Sequence, residues 1–319
     1  IKGAGIFLNR AAVKMADIDS NFGFRFSRPE DAGKEQIDSL RLVASQSIDH
    51  NTHTHTGILY YCDICAGPGG FSEYMGWRRR WHAKGFGMTL SKEKGGFDFN
   101  LSKFGPRSPI DTYTMHYGED GTGDITKTAN MRAFEKYVKR NVPHGLGVHT
   151  VMTDGGFGIS RGRENLQEFL HRQLILCQMT LSMALLRRGG RMCVKVFDTF
   201  LPFTNGLIYL VRSCFEKTSV FKPFSSRPAN SERYIVAEGR LDEKIVRPVV
   251  EYLWSVNDRM NELNAARNRS SNYNTEGADD ALDVNDVVNL QTMSKDKEFV
   301  RFMRSHNNRF AQVQIKNLQ

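Results

Sequence analysis

Four charged side chains stand where charge is out of place or where an α/β sheet binds ligands. Lys195 interrupts the apolar run Met192-Cys-Val-Lys-Val-Phe197. A lysine in such a run is rarely buried unless it is paired. Asp154 closes the apolar run 147–153 and is followed by two glycines. Glu232 lies in Ser226-Arg-Pro-Ala-Asn-Ser-Glu-Arg-Tyr234, just ahead of another strand-like segment. Lys14 lies in the helix-forming stretch 8–16, where Leu8, Ala11, Ala12 and Met15 hold helical spacing and leave it on a different face. Amines and carboxylates at strand ends are suited to moving a proton, because strand ends at the carboxyl edge of an α/β sheet are where ligands bind. Taken singly, Asp154, Lys14 and Glu232 read equally as surface ion pairs, and Lys195 as a lysine snorkelling from an edge strand.

A glycine-rich turn sits beside them, in Asp63-Ile-Cys-Ala-Gly-Pro-Gly-Gly-Phe71. Glycine lets backbone N–H groups approach a ligand closely. The turn Gly67-Pro68-Gly69-Gly70 is not the GxGxxG of dinucleotide folds. A cofactor with a carboxylate, an amino group and an adenosine, but no phosphate, suits the different spacing. Alone, the turn reads as well as an ordinary tight turn. The segment Gly87-Met-Thr-Leu90 ends without an acid, so the usual ribose clamp is missing there. Asp124, in Gly121-Thr-Gly-Asp-Ile-Thr126, can accept from an adenine amino group or a ribose, or cap the helix before Met131.

Other clusters are weaker. Cys62 and Cys65 form a CxxC pair, but Cys177, Cys193 and Cys214 offer no second pair for zinc, so buried packing is expected. His50, His53 and His55 fall in a polar loop. Arg78, Arg79 and Arg80 are read as a solvated helix face before a phosphate contact. No metal site is expected.

The elements that must position these groups follow an α/β rhythm. Strands are expected over 58–65, 84–90, 147–153 and 191–197, with helices over 71–81, 131–140, 166–188 and 203–215. Gly189-Gly190 is expected to stop the long helix. Two late strands, around 220–224 and 233–237, have no helix between them and predict an antiparallel hairpin at the sheet edge. Further helices are expected over 8–16, 31–48, 246–267 and 295–306. The fold is therefore a Rossmann-like α/β domain, a mostly parallel sheet with an antiparallel edge hairpin and extra flanking helices. Residues 1–240 form its core, and 241–319 a helical extension of the same catalytic domain with a mobile loop near 270–286.

The chain has 319 residues, 40% of them hydrophobic, enough for a large core. Lys and Arg number 44 against 35 Asp and Glu, a surplus of +9 that suits a polyanionic partner, nucleic acid before membrane. Five cysteines are too few and too odd in number for a disulfide scaffold. No apolar run is long enough to span a bilayer, and the start at Ile1 reads as a piece cut from a longer chain.

The stretches Asp63-Ile-Cys-Ala-Gly-Pro-Gly-Gly-Phe-Ser-Glu-Tyr74, Trp81-His-Ala-Lys-Gly-Phe-Gly-Met-Thr-Leu90, Asp154-Gly-Gly, Lys195-Val-Phe-Asp198 and Ser226-Arg-Pro-Ala-Asn-Ser-Glu-Arg-Tyr234 together resemble the RrmJ/FtsJ-type 2′-O-ribose methyltransferases over residues 5–240. Within them the wording is closest to the eukaryotic cap-specific mRNA (nucleoside-2′-O-)-methyltransferases that make cap 1. The resemblance implies a catalytic Lys-Asp-Lys-Glu set at Lys14, Asp154, Lys195 and Glu232. It implies S-adenosyl-L-methionine, leaving as S-adenosyl-L-homocysteine, held by Asn9, Ala66, Gly67, Pro68, Gly69, Gly70, Asp124 and Asp154, with no metal required. It implies 5′-capped mRNA as acceptor. Lys2, Arg10, Asn205, Arg227 and Asn230 would meet the RNA, and Glu164 and Asn165, in the loop that also carries Phe157, would meet the cap. Asn165 reads equally as a cap of the long helix. A nuclear location follows, with no membrane contact and with further domains that could meet the transcription machinery. Lys195 is expected to be the base, its ordinary pKa near ~10.4 lowered by burial and by Lys14. Rival readings are a ribosomal or transfer RNA 2′-O-methyltransferase of the same fold and a catalytically silent RNA- or cap-binding module.

Overall fold

A computed structural model describes residues 6–7, 9–29, 57–96, 99, 112–159, 162–270 and 283–318. Lys2, the helix expected over 31–48, the three histidines and most of the loop expected at 270–286 lie outside them.

The first helix, α1 (Arg10–Asn21), is capped by Asn9, whose side chain accepts from the Ala11 N–H. Then β1 (Leu59–Ile64), α2 (Gly70–Arg79), β2 (Ala83–Met88), β3 (Tyr113–His116), α3 (Thr128–Arg140) and β4 (Val148–Thr153) follow. The long α4 (Gln167–Leu185) leads into β5 (Leu186–Val196), and α5 (Pro202–Cys214) into β6 (Phe215–Phe221) and β7 (Arg233–Arg240). Three helices close the chain: α6 (Glu243–Ser270), α7 (Leu290–Lys295) and α8 (Lys297–Leu318).

The seven strands form one sheet in the order β3-β2-β1-β4-β5-β7-β6. The first five are parallel, and β7 pairs antiparallel with both β5 and β6. The edge hairpin is thus present, with its second strand inserted between β5 and β6. This insertion matters for chemistry: it brings the start of β7 beside the end of β5, with Lys195 opposite Tyr234 in register.

Alternation sorts β1 between two layers. Cys62 and Ile64 join a cluster with Phe134, Met179, Leu207 and Trp254 on the α3–α6 side. Tyr61 joins Met15, Ile18, Phe71 and Tyr74 on the α1–α2 side. Both faces of the sheet are covered, as the continuous apolar runs require.

Four elements differ from the sequence reading. The leading strand of the edge hairpin is Phe215–Phe221 and not 220–224, because its pairing with β7 begins at Phe215 opposite Arg240. The long helix ends at Leu185, not at Gly189-Gly190. Leu186 already pairs with Val148, so strand pairing claims the chain before the glycines are reached. The short strand β3 was missed, because Tyr-Thr-Met-His carries no apolar run to announce it. The last helix runs on to Leu318, well past 306.

Candidate active site

The glycine-rich turn leaves β1 through Cys65 and Ala66 and enters α2 at Gly70. Its backbone is fixed from the neighbouring strand: Ala66 N–H donates to the Met88 carbonyl (3.2 Å) and Gly67 N–H to Thr89 Oγ1 (3.2 Å). Gly69 has φ +110°, in the left-handed region that a side chain would disfavour. Gly70 touches α1: a Cβ there would stand 2.7 Å from Ala11 Cβ and 3.0 Å from the Ala12 nitrogen. Two helix N-termini therefore converge on one place, where Asn9 caps α1 and Asp63 takes the Ser72 N–H of α2, with the positive end of each helix nearby.

That place is a cavity of about 340 Å³. Asn9, Arg10, Ala11 and Lys14 line it from α1, and Asp63, Cys65, Ala66, Gly67, Pro68, Gly70 and Phe71 from the turn and α2. Asp154, Ser226, Arg227, Asn230 and Glu232 complete its wall.

Three charged groups, Lys14, Asp154 and Glu232, meet at this wall, and a fourth, Lys195, stands behind it against Asp154. Lys14 Nζ lies 2.9 Å from Glu232 Oε2 and 3.6 Å from Asp154 Oδ2. Lys195 Nζ lies 3.2 Å from Asp154 Oδ1 and donates to the Asp154 carbonyl at 2.7 Å. Ser226 Oγ donates to the other Glu232 oxygen at 2.6 Å. Topology explains the convergence of residues so distant in sequence. Asp154 ends β4, Lys195 is near the end of the adjacent β5, and Glu232 precedes the antiparallel β7. Lys195 is 8% exposed, so it is a buried lysine paired by Asp154 and not a snorkelling edge residue. The other three are ion-paired as well, but with one another and at the cavity rather than on open surface.

The two glycines after Asp154 have a steric reason. A Cβ on Gly155 would stand 2.6 Å from Gln178 Oε1 and 2.7 Å from Cys65 Sγ, and one on Gly156 would stand 3.2 Å from Lys195 Nζ. The Gly155 N–H is held by Gln178 (3.0 Å). Beyond them Phe157 is half-exposed and stacks on the buried His171 ring at 3.9 Å.

The remaining expected residues divide. Arg10 lines the cavity and donates to the Ser225 carbonyl, and Arg227 and Asn230 line it too. Asp124 is not in the cavity wall; its Oδ1 accepts from the Thr126 N–H and hydroxyl, a local turn before α3. Asn205 is also outside the wall, its amide donating to the Thr199 and Leu201 carbonyls. Asn165 is exposed in a single 3-10 turn (Glu164–Leu166) and does not cap α4, whose N-cap is Leu166 without a side-chain bond. The Arg78–Arg80 cluster is not one solvated face: Arg79 is buried and donates to the Gly57 carbonyl, and Arg78 packs over the Phe24 ring. Cys62 and Cys65 are free thiols that burial pushes up, Cys65 to about 12, as packing residues should be.

Sequence reasoning missed Tyr234, Lys222 and Asp63 as working parts. Tyr234 donates to Asp154 Oδ1 (2.5 Å). Lys222 is hydrogen-bonded three times to the loop before Glu232. Asp63 accepts from the Ser72 N–H and hydroxyl, and burial raises it to about 7. Tyr234 and Asp63 could have been found by their places at the ends of the two quoted motifs that also carry Glu232 and the glycine turn.

A glycine-rich turn at the edge of a mostly parallel sheet, beside ion-paired lysines and carboxylates, has the make-up of a Rossmann-type transferase site. The chain belongs to the FtsJ-like methyltransferase family, which it matches over residues 7–240. It is 44% identical over 317 residues to the Homo sapiens protein named cap-specific mRNA (nucleoside-2′-O-)-methyltransferase 1, covering 98% of this chain and 34% of that one. Proteins of the same name from Mus musculus and Drosophila melanogaster are 45% and 39% identical, covering 98% and 99% of this chain and 34% and 36% of their own. The chain thus spans about a third of the length of the curated relatives it matches.

S-adenosylmethionine is the methyl donor of this family, and the cavity fits it. The glycine turn and the two helix N-termini that Gly70 lets pack together suit its carboxylate, while Asp63 and Asp154 offer acceptors to its amino group.

Proposed function

We propose that this domain methylates the ribose 2′-hydroxyl of the first transcribed nucleotide of 5′-capped mRNA, converting cap 0 to cap 1. The observation that carries the proposal is the chain of contacts Glu232–Lys14–Asp154–Lys195, three members of which line the donor cavity while Lys195 packs on Asp154 from behind. The names of the relatives support the choice of acceptor.

The donor supplies an electrophilic methyl on a positive sulfur. The protein's task is the other partner, a hydroxyl that is a poor nucleophile while protonated. Lys195 in its neutral form accepts the 2′-hydroxyl proton as the oxygen takes the methyl. Asp154 fixes Lys195 through two contacts, so the amine lone pair is aimed and not free to rotate away. Lys14 brings positive charge to the oxygen as it loses its proton, and Glu232 keeps Lys14 in place. General-base assistance of this kind contributes roughly 10²–10⁴-fold. Lys195→Ala should therefore lose at least about a hundredfold in rate, and near-normal transfer by that variant would remove the assignment.

The acceptor is tested with labelled donor and three short RNAs: one capped, one with a 5′ triphosphate, one capped and already 2′-O-methylated at the first nucleotide. Label only in the first is the expected result. Equal label in the first two would point to another RNA 2′-O-methyltransferase, and none in any to a silent binding module. The proposal carries with it a nuclear site of action for the full-length protein, to be checked by imaging it in cells. It also carries contact with the transcription machinery through regions outside this stretch, to be checked by co-purification with the polymerase.

A further inference from the structure

Eleven residues, 222–232, return the chain from β6 to β7, and this return carries Arg227, Asn230 and Glu232 into the cavity wall. A loop that presents both an acceptor-facing amide and a member of the charged set needs a fixed shape. Its neck is closed by one ammonium. Lys222 Nζ donates to the Asn230 carbonyl (2.7 Å), to Asn230 Oδ1 (2.7 Å) and to the Glu232 carbonyl (2.8 Å). An ammonium has three N–H donors and no acceptor, so Lys222 is used to capacity.

The consequence for Asn230 is specific. Its carboxamide oxygen is turned back onto Lys222, which directs its NH₂ group to a ligand acceptor such as a ribose or phosphate oxygen. From the far side α8 adds a strut: Gln314 Nε2 donates to the same Asn230 carbonyl at 3.1 Å. Ser231 Oγ is held by Gln167 of α4 (2.9 Å), and the Ser225 N–H by Asp17 of α1 (3.1 Å). The loop is thus tied at its flanks to three helices, but at its centre by Lys222.

We infer that Lys222 is a positioning residue for methyl transfer, which sets the Asn230 amide and the Glu232–Lys14 pair against the acceptor through the 230–232 backbone. The inference rests on the proposed function for the identity of the acceptor, though not for the clamp itself. Burial lowers the Lys222 ammonium to about 8; Glu232 and Asp198 oppose the fall, while Arg233 and Lys14 add to it. Deprotonation leaves two N–H donors for three acceptors, so the clamp loosens as pH rises through about 8. Global stability moves the other way. The unfolded chain binds more protons at this site between about 8 and the ordinary lysine range, so folding gains from rising pH there.

The experiment uses Lys222→Met, Lys222→Arg and Gln314→Ala, read by hydrogen exchange of the 226–232 amides and by steady-state kinetics. Lys222→Met should speed exchange in that segment at least about tenfold and lower kcat about ten- to hundredfold, with the KM for S-adenosylmethionine within about twofold. Lys222→Arg, which keeps the charge and the donors, should recover most of both, and Gln314→Ala should loosen the same segment less. In the wild type, exchange there, corrected for its intrinsic pH dependence, should rise through pH 8 with no fall in melting temperature. Should Lys222→Met fail to fold, the Gln314→Ala and wild-type pH measurements decide alone. Unchanged protection of 226–232 in each folded variant and across pH 8 overturns the clamp. Activity lost only in step with melting temperature and donor binding overturns it equally. A wild type that labels no capped RNA defeats the acceptor reading instead, and the exchange data still judge Lys222.

Discussion

Tyr234 Oη donates a 2.5 Å hydrogen bond to Asp154 Oδ1, the same carboxylate oxygen that lies 3.2 Å from Lys195 Nζ. The phenol is fully buried, and its register partner across the β5–β7 ladder is Lys195 itself. Burial, with Asp154 beside it, pushes the Tyr234 hydroxyl well up, so it remains a donor at any working pH.

Tyr234→Phe keeps the ring and removes that donor. A hydrogen bond to a charged group contributes about 1.5–3 kcal/mol, so Asp154 would lose part of what orients it toward the two lysines. The expected outcome is a fall of roughly tenfold or more in kcat, with the chain still folded. A variant as fast as wild type in a methyl-transfer assay would show that Asp154 is held by the lysines alone.

Gly70→Ala sets two known effects against each other. Alanine restricts the unfolded chain and gains about 0.4–1 kcal/mol where its backbone is tolerated. Its Cβ would stand 2.7 Å from Ala11 Cβ and 3.0 Å from the Ala12 nitrogen, and overpacking of that kind costs about 1–3 kcal/mol. The cost wins, because the obstacle includes backbone. The α1 N-terminus must retreat and take Asn9 with it. The dissociation constant for S-adenosylmethionine, measured by calorimetry, should weaken about tenfold or more, since both helix ends that face the donor move apart. Equal affinity in the variant would refute this role for Gly70.

Asp63 and His149 titrate in opposite senses across overlapping windows. Burial raises Asp63 to about 7, so between the ordinary carboxyl range and 7 the folded chain binds more protons, and this contribution is lost as pH rises. Burial, with Arg187 adding to it, lowers His149 to about 3, so its contribution is full above the ordinary imidazole value and is lost as pH falls toward 3. In the wild type the two slopes partly cancel. Asp63→Asn keeps an oxygen for Ser72 and removes only the carboxylate. Relative to wild type it should gain melting temperature as pH goes from 4.5 to 7.5. A constant difference at every pH would mean that Asp63 is not held up by burial.

Asn307 of α8 bridges two loops of the site. It accepts from the Thr199 hydroxyl (2.5 Å) and from Arg233 (3.3 Å), and donates to the Thr199 carbonyl (3.0 Å). Arg233 itself is buried, paired with Asp198 at 2.9 Å and stacked over Phe310. Asn307→Ala leaves a buried guanidinium N–H and the buried Thr199 hydroxyl short of an acceptor, a loss of about 1–3 kcal/mol. Denaturant unfolding should show that loss, and a change below half a kilocalorie would mean water replaces the side chain.

Much of this was legible in the chain. Apolar runs of six or so residues ended by glycine are strands, and Lys195 in the middle of one was visible as an anomaly because charge in an apolar run has few explanations. Asp154-Gly-Gly was visible as a strand end. What stayed hidden depends on which strand lies beside which. Tyr234 and Lys222 act only because β7 sits between β5 and β6, and spacing along a chain does not encode that insertion. The strand Tyr113–His116 is four residues with one fully buried, too little contrast for a period of two. Asp124 reads the same in sequence whether it faces a ligand or closes its own turn, because both uses need a carboxylate after a strand.

The two long C-terminal helices each brace a different loop of the core. Asn257 and Asn261 of α6 donate to the Thr126 carbonyl in the turn built on Asp124, while Gln314 of α8 donates to Asn230. The family match covers residues 7–240, and helices beyond it pack on that stretch. A fragment ended at residue 240 would bare the surface that Trp254, Leu253 and Val250 now cover, and both loops would lose their outer supports. Shortening the chain to its family-matched stretch would thus remove the scaffolding along with the ornament.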